Sequence, residues 1–397
     1  MISTQTKPTG KGGEWVGALF LGVMSGTSLD GVDLAMTEIN NPFTLTVRAF
    51  QTVAFDPDFR RELLQRIQTP DHRTGELIAV HHVLGRFFAE AIREFLEGCK
   101  TPITDVAAVG FHGLTFWHQP EEVPALGRSG RGTLQLGDAH LVHALTGLKV
   151  IFDFRHADMA LGGQGAPLAP FLDHLFFRHD RRGRVLLNLG GIANLTFLPP
   201  DRETISAFDS GPGNIIVDAL MGDHPTAPAA YDAEGGVAAT GQIVPELLAQ
   251  CLAHPYFKEP PPKSTGRELF GASFAQRFHQ FRPQPRYQDL VATATRLTAE
   301  TVAAAIRNYA VPPFSFSDLK DLIVSGGGAH NRTLLRMIGE LLPELKIGTT
   351  AEYGMDPDAK EAVLMAALAW AHLHRVPANF PSVTGASEKT VLGAATP

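Results

Sequence analysis

The sequence predicts an α/β protein of two domains with a cleft between them. Three observations carry this: a length beyond one ordinary core, two separate cycles of apolar hairpin followed by amphipathic helix and strand, and glycine-rich tips after three of the strands. The 397 residues exceed the ~100 to 200 of a usual domain, and clefts between domains are where small ligands tend to bind.

The first 14 residues are polar and contain Gly and Pro, which predicts a flexible tail. Order is expected from Ala18. Ala18 to Met24 is apolar, SGTSLDG is a tight tip, and Val32, Leu34 and Met36 then alternate with Asp33, Ala35 and Thr37, which makes a hairpin. Thr44 to Phe55 offers a third extended stretch. Leu77, His81, Leu84, Phe88, Ile92 and Phe95 recur at helical spacing, with Val106 to Gly110 as the returning strand. The second cycle has Arg184 to Leu189, the tip GGIAN and the strand Leu195 to Leu198. It continues with a helical face through Leu290, Ala294, Leu297, Thr301 and Ala305, the strand Asp321 to Val324 and the run SGGG. Asp356 before Pro357 is a helix-start signal leading into Val363, Leu364, Ala367 and Leu368. The expected domains are 15–148 with about 375–397, and 149–374.

Composition narrows the function classes. A hydrophobic content of 44% and a charged content of 19% fit a folded, enzyme-like chain. With 34 basic against 41 acidic residues and a net charge of −7, there is no basic footprint for nucleic acid or anionic lipid. Small molecules are therefore the expected partners. Cys99 and Cys251 are too few for a disulfide framework or zinc cluster and suit a reducing cytosol. The N-terminus has no apolar run typical of a signal peptide, and no stretch approaches the ~20 apolar residues of a membrane span. A cytoplasmic location is expected.

Glycine after a strand lets backbone N–H groups approach a phosphate with no side chain in the way. One such tip alone reads as a turn that needs glycine; three together, around Gly26, Gly190 and Gly327, read as a nucleotide site. Neither GxxxxGK[ST] nor GxGxxG occurs, so P-loop and dinucleotide enzymes are not supported. The first loop, GVMSGTSLDGVD, interleaves the hydroxyls of Ser25, Thr27 and Ser28 with Asp30 and Asp33. Hydroxyls suit phosphate oxygens, and a carboxylate suits Mg2+ through its water shell. The expected nucleotide-binding residues are Gly26, Thr27, Ser28, Leu29, Asp30, Gly31, Val32 and Asp33, then Asn188, Gly190 and Gly191, then Gly326, Gly327 and Gly328.

Asp153, Arg155, His156 and Asp158 fall between the strand KVIFDF and the loop GGQGAPL, where loops on rigid strands usually carry catalysis. Asp153 and Arg155 read equally well as an ion pair bracing that loop. His112, His118, His140 and His143 have no cysteine or carboxylate at ligand spacing, so hydrogen bonding to a substrate fits the HGLTFWH loop better than a metal. Asp209 in FDSGPGN and Glu361 are candidate contacts to substrate or Mg2+.

MSGTSLDGVD, LLNLGGIANLTFL and IVSGGGAHN resemble the phosphate and adenosine motifs of the anhydro-N-acetylmuramic acid kinase family. The resemblance extends to FHGLTFWHQP, DFRHADMALGGQGAPLAP, FDSGPGN, PPPKSTGRE, GMDPDAKEA and PSVTGA, and covers roughly Leu21 to the end. It implies a duplicated ribonuclease H-like, actin-like ATPase fold. It also implies an enzyme that uses ATP and Mg2+ to open a 1,6-anhydro bridge with water while phosphorylating O6. Asp158 matches the residue expected to deprotonate that water, and Asp30 and Asp209 are the expected Mg2+ contacts. His112, Arg155, Gly163, Gln164, Asp209 and Glu361 are the expected sugar contacts. A cytoplasmic homodimer is implied as well. One departure is Leu114, where the family usually has glutamine; it predicts a missing polar contact and leaves open a kinase for another sugar or anhydrosugar such as levoglucosan. A nucleotide-driven chaperone or filament protein of the same superfold is the reading from a different class.

Overall fold

The computed structural model describes residues 17–26, 29, 31–41, 43–68, 74–200, 205–224, 227–309 and 316–397. The expected tail and three expected site residues, Thr27, Ser28 and Asp30, lie outside these. The chain divides into two units, Met1–Phe176 with Glu361–Pro397, and Phe177–Lys360.

The first unit is built on β1 (Ala18–Ser25), β2 (Gly31–Asn40), β3 (Thr44–Ala54), β4 (Val106–Ala125), β5 (Arg128–Leu136) and β6 (Val150–Phe152). The second has β7 (Gly183–Leu189), β8 (Ile192–Leu198), β9 (Ser206–Pro212), β10 (Leu319–Ser325) and β11 (Lys346–Thr349). A short β12 (Ala394–Ala395) returns to the edge strand β6 of the first sheet. The spatial orders are β12-β6-β4-β1-β2-β3 and β11-β10-β7-β8-β9. Leaving out β12 and β5, which pairs with β4 off this path, and counting the remaining strands in chain order, both run 3-2-1-4-5. In each, the first three strands pair antiparallel and the other two extend the sheet in parallel. A hairpin meander followed by crossovers has been used twice, which is the duplicated ribonuclease H-like plan of the actin-like superfold.

Each sheet is covered by helices whose apolar spacing predicted them. Leu84, Phe88, Ile92 and Phe95 of the helix Thr74–Gly98 are buried in the first core, recurring every three or four residues so that one stripe faces the sheet. The helix Tyr287–Asn308 buries Leu297, Val302 and Ile306 in the second unit. On the first sheet a second helix, Lys360–Leu373, comes very close: a Cβ on Gly22 would lie 1.7 Å from the Ala362 carbonyl oxygen, and one on Gly110 would lie 1.9 Å from that of Met365. Two glycines and an alanine-rich helix thus set the approach that carries Glu361 to its place.

The domain boundaries fall elsewhere than expected. β6 pairs with β4, which keeps 149–176 in the first unit, and the contact of the helix Lys360–Leu373 with β1 and β4 starts the return at Glu361 rather than near 375. β4 also runs past the expected end at Gly110 and forms with β5 a two-stranded arm as far as Ala125. Leu114 is fully buried in the first core opposite Leu136. The helix expected from Asp356 begins at Lys360; Asp356 instead accepts from the Asp358 N–H at 2.9 Å in a turn that precedes it. Among the described residues no helix is long and apolar enough to cross a membrane.

Candidate active site

In the second unit three segments converge on the Gly190–Gly191 tip. The N–H groups of Gly213 and Asn214 donate to the carbonyls of Gly191 and Gly190, each at 2.9 Å, which joins FDSGPGN to the β7–β8 turn. Gly326, which follows β10, has φ +79° and donates to the Pro357 carbonyl at 2.9 Å. The glycines here are of two kinds. A Cβ on Gly213 would meet the Gly190 carbonyl oxygen at 2.3 Å, one on Gly326 would meet Asn188 Oδ1 at 2.8 Å, and one on Gly328 would meet Leu189 Cβ at 2.5 Å, so close packing demands glycine. At Gly190 and Gly191 the nearest atoms would be 3.8 Å away, and at Gly327 nothing lies within 4 Å. None of these three has a positive φ. The folded chain alone has no need of glycine there. A cradle kept open for a ligand that approaches the backbone does.

Beneath this cradle a polar ladder crosses four strands in register. Ser325 on β10 pairs with Asn188 on β7, Asn188 with Asn194 on β8, and Asn194 with Asp209 on β9. Ser325 Oγ donates to Asn188 Oδ1 at 3.3 Å, Asn188 Nδ2 donates to Asn194 Oδ1 at 3.5 Å, and Asn194 Nδ2 donates to Asp209 Oδ1. Asp209 Oδ2 accepts from the Thr265 N–H at 2.9 Å. Burial pushes the Asp209 carboxyl up to about 6 against the pull of these two donors, with Glu268 nearby adding to the rise and Lys263 opposing it. A carboxylate near that value can take a proton at neutral pH.

In the first unit His112 is buried and its ring accepts from Arg155: Nε and Nη2 reach Nε2 at 3.2 and 3.0 Å, while Nδ1 meets the Gly113 carbonyl at 3.2 Å. That pattern requires a neutral ring carrying its proton on Nδ1. Burial, reinforced by the Arg155 charge, pushes His112 down to about 3. Burial also lowers Arg155 to about 10, against the opposing charge of Glu361 in the first turn of the helix Lys360–Leu373. The third arm of the guanidinium, Nη1, donates to the Gly165 carbonyl at 2.7 Å. His118 on the same strand is likewise lowered, to about 4, by burial and by Arg155. Asp153 does not pair with Arg155; with φ +58° it pairs with His156 Nδ1 instead.

Asp158, expected as the base, is enclosed by its own loop and the C-terminal segment. It is 1% exposed. Its Oδ1 accepts from Asn379 Nδ2 at 2.8 Å and Thr384 Oγ1 at 2.7 Å, and its Oδ2 from the Gly165 N–H at 2.8 Å. A Cβ on Gly163 would lie 2.1 Å from Oδ2, and the Gln164 N–H donates to the Thr384 carbonyl at 2.8 Å. Asp158 is the strut that ties GGQG to the C-terminal segment, and Gly163 is glycine to make room for it.

Of the first nucleotide loop, Leu29 and Val32 have their side chains in the first core, so only their backbone is available to a ligand. Arg60 Nε donates to the Leu29 carbonyl at 2.8 Å, and Ser25 Oγ to that of Gly31 at 2.8 Å. Asp33 accepts from Thr52 Oγ1 at 2.6 Å. Sequence reasoning passed over Asn194, Thr265, Asn379 and Thr384. The latter three lie in or beside PPPKSTGRE and PSVTGA, motifs noticed for their resemblance and not assigned a role.

A duplicated actin-like fold with an open glycine cradle and an amide ladder ending on a half-buried carboxylate suits a phosphotransferase. The family model described as anhydro-N-acetylmuramic acid kinase matches residues 18–397. A protein of that name from Bacillus cereus (strain G9842) is 38% identical over 380 residues, covering 94% of this chain and 97% of the relative. One from Aliivibrio fischeri is 39% identical over 376 residues, covering 94% and 98%. Among solved structures, a ROK family glucokinase from Streptomyces griseus in complex with glucose and AMPPNP overlaps loosely, with a TM-score of 0.38 and 14% identity over 88% of this chain and 99% of that chain. The chain belongs to the anhydro-N-acetylmuramic acid kinase family.

Proposed function

We propose that the enzyme opens the 1,6-anhydro bridge of 1,6-anhydro-N-acetylmuramic acid with water and phosphorylates the released O6 from ATP, giving N-acetylmuramate 6-phosphate and ADP. The observation that carries this reading is the in-register ladder from Ser325 to Asp209, which links the cradle at Gly190, Gly191 and Gly327 to a carboxylate held near neutrality. Asp209 is the general base in place of Asp158. It takes a proton from the water that attacks the anomeric carbon; the bond from that carbon to O6 breaks, and O6 takes the γ-phosphoryl group. An inverting glycosidase needs an acid for the leaving oxygen as well as a base; here the phosphoryl group accepts that oxygen, so one carboxylate suffices.

The glycine tips hold the phosphates through backbone N–H groups. Mg2+ bound with ATP would neutralise charge on the transferring phosphoryl. Asp30 remains a proposed carboxylate contact for it, and Asp209, assigned as the base, does not. His112, Arg155, Gln164 and Glu361 are the proposed sugar-side residues, with the neutral His112 ring fixing the Arg155 fork. A cytoplasmic homodimer is the proposed setting. The test is ADP release over a panel of N-acetylmuramate, its 1,6-anhydro form and levoglucosan, in 18O-labelled water with product masses. Turnover is expected on the anhydro-N-acetylmuramic acid alone, with one labelled oxygen at the anomeric position. Turnover on N-acetylmuramate, or an unlabelled product, overturns the reading.

A further inference from the structure

Asp209 is fixed by more than its carboxylate. Its N–H donates to the Lys263 carbonyl at 3.2 Å, and its own carbonyl accepts from the Tyr256 hydroxyl at 2.8 Å. The Thr265 N–H, two residues beyond Lys263, holds Oδ2. Lys263 closes the ring: its Nζ donates to the Tyr256 carbonyl at 3.0 Å and stands over two aromatic faces, Tyr256 at 4.6 Å and Tyr309 at 5.3 Å. Tyr309 also packs edge-on against Phe208, the residue before Asp209, and its hydroxyl donates to the Lys258 carbonyl at 3.2 Å. The carboxylates whose charge bears on Lys263 are Glu259 and Asp209.

An ammonium partly stripped of water and placed against two ring faces is attracted to both. Here the attraction has a geometric result. The chain from Tyr256 to Thr265 is clamped back onto β9, and three of the hydrogen bonds on Asp209 come from that clamped stretch. We propose that Lys263, caged by Tyr256 and Tyr309, is a positioning residue for the reaction: it holds the 256–265 loop so that the Asp209 carboxylate stays aimed at the attacking water. The lysine touches no reacting atom. Releasing it lets the loop move, and a base displaced by about 1 Å costs on the order of 10- to 100-fold in rate.

This inference rests on Asp209 as the base, so Asp209→Asn is measured beside Lys263→Met, Lys263→Arg and Tyr309→Leu, with kcat and the KM for ATP for each and a melting curve for folding. Lys263→Met keeps the length and the apolar stem and removes the charge. It is expected to lose about 10-fold or more in kcat with the ATP KM within about twofold, which is the pattern of lost transition-state stabilisation. Lys263→Arg retains a cation suited to aromatic faces and restores most of the loss. Tyr309→Leu removes one wall and moves kcat in the same direction, which decides the matter if Lys263→Met does not fold. A folded Lys263→Met with parental kcat, or equal losses in the Met and Arg variants, overturns the inference while an inactive Asp209→Asn leaves the functional reading standing. An active Asp209→Asn overturns both.

Discussion

Asp158 and Asp209 each stand beside a glycine-rich loop near the end of a strand, but Asp158 is buried and Asp209 only half-buried, and their donors differ. Asp158 has three donors within 2.8 Å, drawn from its own loop and from the C-terminal segment, and is sealed by Gly163. Asp209 has two donors on its carboxylate and a desolvation cost that they do not offset, which leaves it near 6. A buried carboxylate with its hydrogen bonds satisfied is a structural element. One held at a value near the working pH is suited to proton transfer. Position next to a glycine loop does not distinguish the two; their surroundings do.

The largest effect that separates them is on turnover. Asp209→Asn removes the proton acceptor and keeps the shape, so kcat is expected to fall by about 10² to 10⁴ in a coupled ADP assay while ATP binding persists by calorimetry. The glycine cradle is next. Gly190→Val puts a side chain into space that the folded chain leaves open, so melting temperature is expected to hold while ATP affinity drops by roughly tenfold or more; parental affinity would mean that phosphates do not approach there. The smallest effect on turnover belongs to Asp158→Asn. Its new amide faces the donors Gly165 N–H, Asn379 Nδ2 and Thr384 Oγ1, and a donor left unpaired costs about 1 to 3 kcal/mol of stability. Chemical denaturation is expected to register that loss, with kcat within about tenfold of the parent.

Much of the architecture was legible in the sequence because it rests on local periodicity. The two hairpins, the helix through Leu84, Phe88, Ile92 and Phe95, and the strand before SGGG all follow from spacing that one face of one element must satisfy. The arm made by β4 and β5 was not, since Gly113 and Pro120 interrupt any clean alternation in FHGLTFWHQP. Nor was the role of Leu114, whose burial depends on β5 pairing beside it. The glycine tips were visible as a set, but which glycines the fold itself requires is settled only by what a Cβ would touch. The different surroundings of Asp158 and Asp209 were illegible for the same reason. Two of the three donors to Asp158 lie more than 200 positions away at Asn379 and Thr384, and those to the Asp209 carboxylate come from Asn194 and Thr265.

The pH dependence of kcat/KM in the parent, Asp158→Asn and Asp209→Asn, measured side by side, tests the central assignment most directly. Burial raises the Asp209 carboxyl from an ordinary 3.8 to about 6, and a base works only when ionised, so the parent is expected to lose activity as pH falls through about 6. Asp158→Asn should keep that acid limb, and the residual activity of Asp209→Asn should show none. An acid limb that persists in Asp209→Asn, or one that vanishes in Asp158→Asn, would contradict the account and return the base to Asp158.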